Sequence, residues 1–215
     1  MTVVFPFMQK VDHKRFLVIG SGAIALRKVR LLLQFTDKIT LVTHSDTRHD
    51  LSDLEKEGIE VLDRHFTPQD LQKADYCIAS SDSSLANRNI AALCREADLP
   101  VNVPDDPDSC TFFMPSVIRK GNLVITVSTG GSSPAMSVGL RRKIEDMLPP
   151  NTEEILDLME ELRSWAPSRL PRSLERGRLY AYILARLMDG SLTPTEESVH
   201  EAAAQWIEES IDRDD

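Results

Sequence analysis

Phe16-Leu17-Val18-Ile19-Gly20-Ser21-Gly22-Ala23-Ile24-Ala25 is the stretch on which the fold turns. Four apolar residues run straight into a GxGxxA turn, and the spacing from Ala23 to Gln34 is helical. Gly20 permits the tight turn, Gly22 lets a pyrophosphate approach the backbone, and Ala25 keeps the helix close to the sheet. The helix N-terminus then offers free N–H groups and a positive dipole end to phosphates. A GxGxx string alone is weak evidence, but here strand, turn and helix lie where the motif demands. Gly20, Ser21, Gly22, Ala23, Ile24 and Ala25 are therefore candidate dinucleotide-binding residues. Val42 and Thr43, ending the second predicted strand, and Ser80 and Ser81, directly after the fourth, complete the set.

One part of the fingerprint is missing. An Asp or Glu is expected at the end of the second strand to bind the ribose 2′-hydroxyl. That strand ends Leu41-Val42-Thr43-His44, with no carboxylate before Asp46. The choice between NAD and NADP stays open, since His44 and Arg48 are compatible with a 2′-phosphate.

Outward from the turn, strands are predicted at 16–19, 38–43, 59–62, 76–79 and 101–103. Helices are predicted at 23–34, 51–57, 68–73 and 85–97. This alternation with short connections is the pattern of a Rossmann-type doubly wound parallel sheet in an α/β chain. After Val103 the pattern changes. Pro104-Asp105-Asp106-Pro107 is turn chemistry, and two extended runs, 112–118 and 122–128, read as a hairpin joined by Arg119-Lys120-Gly121. Ser133 and Pro134 have the N-cap and first-turn character of a helix reaching about Leu148. Beyond Pro149-Pro150 the chain is helical, at 153–165, 170–187 and 195–211. Three regions are expected: a dinucleotide-binding domain at 1–112, a hairpin-plus-helix dimerisation region at 113–148, and a helical domain at 149–215.

Composition narrows the function. The 215 residues are 41% hydrophobic and 27% charged, with a formal net charge of −9. Residues 151–215 hold 7 basic and 15 acidic side chains, so the acidity belongs to the tail. Neither half is a basic domain, which argues against a nucleic-acid binder. No apolar run is long enough for a membrane helix, and the N-terminus lacks the pattern of a secretory signal. Three cysteines without CxxC spacing point to a reducing cytoplasm. Cys77 and Cys94 fall in predicted element interiors, whereas Cys110 lies in a loop near Asp105. His13, His44, His49, His65 and His200 show neither HxxxH nor HExxH spacing, so no metal site is expected.

Phe5-Pro6-Phe7, the GSGAIALRK run, Asn102-Val103-Pro104-Asp105, Phe112-Phe113-Met114-Pro115-Ser116 and Ser128-Thr129-Gly130-Gly131-Ser132-Ser133-Pro134 occur in this order. Together they resemble the precorrin-2 dehydrogenase family, including the N-terminal module of sirohaem synthases. The resemblance covers about residues 3–150. It implies NAD-dependent oxidation of precorrin-2 to sirohydrochlorin and, in some members, insertion of ferrous iron. It also implies a homodimer, Asp105 as the catalytic carboxylate, and Asn102, Met114, Ser128, Thr129, Gly130 and Gly131 near the substrate. The residues themselves agree with Asp105: it follows the fifth strand, at the sheet edge where open α/β folds bind ligands, and a carboxylate there can accept a proton. An anionic tetrapyrrole would also suit the basic runs Arg27–Arg30, Arg119-Lys120 and Arg141–Lys143. Two other readings stand beside this one: a non-enzymatic nucleotide-sensing module, and an NADP-linked reductase of another small substrate.

Overall fold

The computed structural model describes residues 3–44 and 51–211. These form two compact units, Met1–Pro115 with Gly130–Ser132, and Ser116–Thr129 with Ser133–Asp215.

The first unit is a five-stranded sheet of β1 (Phe16–Ile19), β2 (Ile39–Thr43), β3 (Glu60–Asp63), β4 (Tyr76–Ala79) and β5 (Val101–Asn102). All neighbouring pairs are parallel and the order is β3-β2-β1-β4-β5. Side chains alternate between the two faces, as strand geometry requires. Phe16, Val18, Leu41 and Ile78 pack on α1 (Ala23–Leu33) and on Leu54 of α2 (Ser52–Lys56). Leu17, Ile19, Val42, Cys77 and Ala79 pack with Ile90, Ala91 and Cys94 of α3 (Ser84–Glu96). With both faces covered, β1 is buried along its whole length, the usual state of a central parallel strand. The doubly wound sheet expected from the sequence is thus present. Pro68–Lys73 is a 3₁₀ turn rather than an α-helix, because the chain is already extended at Ala74 on its way into β4.

The second unit begins with an antiparallel hairpin, β6 (Ser116–Lys120) and β7 (Leu123–Val127). The pairing Lys120↔Leu123 leaves Gly121 and Asn122 as a two-residue loop, with Gly121 at φ +54°. Glycine at the first central position suits such a tight hairpin. Two expectations are corrected here. Arg119 and Lys120 extend the strand instead of forming the turn, because they pair with Val124 and Leu123. Residues 112–115 are not strand, because Phe112 and Met114 pack sideways on the α1-side core. The helices are α4 (Pro134–Met147), α5 (Thr152–Trp165), α6 (Ser173–Met188) and α7 (Glu196–Ile211). Ile155, Leu158 and Leu162 of α5 pack with Leu179, Ile183 and Leu187 of α6 and with Val199 and Ala203 of α7. Ile155, Leu158 and Leu162, spaced at threes and fours, thus form a helix seam. Helix α6 starts at Ser173 rather than at Leu170, since a residue before proline, here Leu170 before Pro171, disfavours helical backbone. Among the described residues no helix is long and apolar enough to cross a membrane.

Candidate dinucleotide cleft and catalytic turn

The chain leaves β1 toward β2 and β3, then crosses back to β4 and β5, so the ends of β1 and β4 flank the switch point of the sheet. Open α/β sheets bind ligands at that place. A cleft of about 560 Å³ opens there, within the range of small-molecule sites. Gly20, Ser21, Val42 and Ser81, all expected from the sequence, line it, together with His44, Arg64, His65, Phe66 and Pro68. Ala86, Asn89, Ile90 and Leu93 supply the α3 wall.

The glycine turn is locked from below. Gly20 adopts φ +133°, and a β-carbon there would lie 2.2 Å from the Ser80 carbonyl oxygen. No side chain fits, so the loops after β1 and β4 meet backbone to backbone. Ser80 is buried and donates its N–H to Ile19 O at 2.8 Å. Ala25 is fully buried against the sheet, as the third fingerprint position requires. Gly22 is the N-cap of α1, which has neither a side-chain cap nor an acidic residue in its first turn. By contrast, the Ser83 hydroxyl caps α3 and the Ser133 hydroxyl caps α4. The first-turn amides of α1, at Ala23, Ile24 and Ala25, are the ones left open for an anion. Donor set, absence of a β-carbon and apolar wall together fit a dinucleotide.

Around the second strand, Thr43 is buried and its hydroxyl has no partner among the described residues. The His44 and His65 rings lie 4.0 Å apart. Arg64 is a wall rather than a free cation, since it makes bonds of 2.6 and 2.9 Å to Asp70 and one of 3.0 Å to His65 O. That guanidinium, with the Thr67 amide and hydroxyl, holds the Asp70 carboxyl below its usual range. Asp46, Arg48 and His49 lie outside the described residues.

Two residues of this region escaped the sequence reading. Asn87 is buried on α3 and binds Ser81 three times: its Oδ1 accepts from Ser81 N at 2.9 Å and Oγ at 2.6 Å, and its Nδ2 donates to Ser81 O at 2.9 Å. Asp82 also lines the cleft. An Asn four residues after a serine N-cap was the available signal for the first; nothing in the fingerprint pointed to the second.

Asp105 lies in the turn after β5, where Asp106 N bonds Val103 O at 3.1 Å. Its carboxylate is exposed and makes no hydrogen bond or ion pair among the described residues. Asp106 is committed, because its Oδ2 accepts from Ser109 Oγ at 2.8 Å. Cys110 staples the same turn: its Sγ accepts from Val103 N at 3.1 Å and donates to Val103 O at 3.2 Å. Burial, the largest influence, pushes the Cys110 thiol up. Lys28 on α1 is half-buried near this thiol, and burial followed by Arg27 lowers its ammonium. Asn102 is buried, with Nδ2 donating to Phe112 O at 3.0 Å and Oδ1 unpartnered among the described residues.

Between β7 and α4, the Thr129 hydroxyl accepts from Ser133 N at 3.1 Å and from Ser137 Oγ at 3.2 Å. Ser128 is exposed, and Gly130 and Gly131 have φ of +61° and +86° with open space around both. Although histidine spacing gave no metal motif, Glu161, Glu196 and His200 bring ligand atoms within 4.8 Å of one another. The neighbouring Glu196 carboxyl, the largest influence, raises Glu161 above its usual range.

Comparison with known proteins agrees with this arrangement. Residues 7–116 match a family model described as "Putative NAD(P)-binding", and residues 120–147 one described as "Sirohaem biosynthesis protein central". The siroheme synthase of Thioalkalivibrio sulfidiphilus is 33% identical over 209 residues, covering 97% of this chain and 42% of that protein. That of Tolumonas auensis is 31% identical over 210 residues, covering 98% and 44%. The chain spans less than half the length of these relatives. Among solved structures, "SirC, precorrin-2 dehydrogenase" superposes with a TM-score of 0.68 at 18% identity, over 96% of this chain and 100% of that one, a likeness of fold. With its glycine turn, switch-point cleft and family match over slightly more than half its length, the chain belongs to the NAD(P)-binding family that the first model describes.

Proposed function

We propose that the protein oxidises precorrin-2 to sirohydrochlorin with NAD as hydride acceptor, acting as a homodimer in the cytoplasm. The observation that carries this reading is the pairing, on one sheet edge, of an open glycine-turn cleft with an uncommitted carboxylate, Asp105, in a turn fixed by Cys110 and Asp106. Gly20–Ala25 would hold the pyrophosphate, and Val42, Phe66 and Leu93 would flank the adenine. When bound, NAD supplies the two-electron acceptor. The chain's own part is to place the macrocycle and remove a proton. Asp105 is suited to that second task because no guanidinium or ammonium ties up its carboxylate. Its neighbour Asp106 already spends an oxygen on Ser109. The same carboxylate would receive pyrrole protons if ferrous iron, as substrate, is inserted afterwards.

The dimer is supported by α4. It buries only Ser137, while Met136, Leu140 and Met147 stand exposed in one helical row. A row of that kind on a helix already packed against a hairpin suits a second copy of the same surface.

Anaerobic mixing of the protein with NAD and precorrin-2 tests the reading. The sirohydrochlorin spectrum and NADH absorbance should rise together. Folded protein that binds NAD but leaves precorrin-2 unchanged would favour the sensing module instead.

A further inference from the structure

We propose that Asp82 is a ribose-binding carboxylate of this site, taking the hydroxyls of the nicotinamide-side ribose and not those of the adenosine ribose that an acid after the second strand would bind. The proposal rests on reading the β1–α1 turn as a dinucleotide site. Asp82 follows β4, across β1 from the position where the fingerprint seeks its acid. It lines the cleft, and its Oδ1 stands 3.3 Å from where a β-carbon on Gly22 would lie. Among the described residues its carboxylate has no hydrogen-bond or ion-pair partner, so both oxygens are available to a ligand.

The backbone that leads into Asp82 is held in place. Ser80 is wedged against Gly20, and the three Asn87 bonds hold Ser81 through its N–H, its hydroxyl and its carbonyl. Those bonds also turn the Ser81 N–H and O–H inward, which leaves Asp82 as the polar group that the loop presents. A carboxylate beside a pyrophosphate path is unfavourable if it meets only phosphate. It becomes favourable if it accepts hydroxyl hydrogens, since hydrogen bonds to a charged acceptor are the strong ones. The topology decides which hydroxyls these are. The adenosine ribose lies at the end of the second strand and the pyrophosphate at the glycine turn. The following ribose therefore falls on the β4 side, where Asp82 waits.

The test is titration calorimetry of the full chain and of Asp82→Ala and Asp82→Asn with NAD, ADP-ribose and ADP. ADP lacks the second ribose and ADP-ribose retains it. Asp82→Ala should bind NAD and ADP-ribose about tenfold or more weakly, the loss expected for a charge-assisted bond, and should bind ADP as the parent does or more tightly. Asp82→Asn should fall between, because its amide keeps one acceptor oxygen. Unchanged or tighter ADP-ribose binding by a folded Asp82→Ala overturns the proposal, and so does an equal loss for ADP, which would move the contact to the adenosine ribose. A parent that binds none of the three would instead remove the dinucleotide reading itself.

Discussion

In the parallel sheet every residue of β1 is buried and Val42, Cys77 and Ala79 are at most 1% exposed, whereas α4, 14 residues long, buries Ser137 alone. The sheet spends its apolar residues inside one chain and leaves open a polar edge of amides and carboxylates. Helix α4 leaves apolar residues open, and the apolar residues of the hairpin other than Ile118 are only half-buried. One region is therefore complete as a scaffold and unfinished as a binding site, and the other is unfinished as a scaffold. That difference separates the substitutions that should abolish ligand binding from those that should abolish association.

The largest effect is expected where the sheet region has no slack. Gly20→Ala forces a β-carbon into the Ser80 carbonyl at 2.2 Å, and should cost about 3 kcal/mol or more in urea melts. Gly130→Ala and Gly131→Ala meet no atom within 4 Å. They bear only the left-handed backbone cost of about 1–2 kcal/mol. Equal costs at the three positions would break the contrast.

Charging the open row of α4 should act on association and leave the cleft untouched. Met136→Glu with Leu140→Glu is expected to give a monomer by light scattering at micromolar concentration, with parental NAD affinity. A variant that stays dimeric would place the interface elsewhere.

A smaller effect is expected at Asp70, which caps the 3₁₀ turn beside the cleft and binds Arg64. Asp70→Ala should cost about 2 kcal/mol at neutral pH, the combined scale of a lost cap and a charged hydrogen bond. Because the folded carboxyl is held below its ordinary value, this stabilisation is full above the unfolded pKa of about 3.9. It is lost as pH falls through the lower folded value. Denaturant melts of parent and variant should therefore converge in acid.

Legibility followed the same divide. Strands such as Phe16–Ile19 and Tyr76–Ala79 were readable because short apolar runs bounded by turns have few other uses, and the GxGxxA turn carried its own chemistry. The sequence places the hairpin turn at Arg119-Lys120-Gly121 where the structure has Gly121-Asn122, because Arg119 and Lys120 look like loop residues until their cross-strand partners are known. Phe112 and Met114 look like strand until the α1-side core claims them. Asn87 and Asp82 could not be read at all, since a single polar residue near a helix start acquires meaning only when the β4 loop folds back against Gly20. Asp105 is singled out in the sequence by its place after the fifth strand and by the family resemblance, and the structure adds that Asp106, not Asp105, is hydrogen-bonded within the turn.

If the sheet edge performs the chemistry, Asp105→Asn measured beside Asp106→Asn will show it. Asparagine preserves turn character, so both variants should keep parental NAD affinity and melting temperature. Anaerobic precorrin-2 oxidation by Asp105→Asn should fall about 10²–10⁴-fold, the scale of a lost general base, while Asp106→Asn stays close to the parent. Parental oxidation by Asp105→Asn would contradict the account and leave Asp105 a turn residue only.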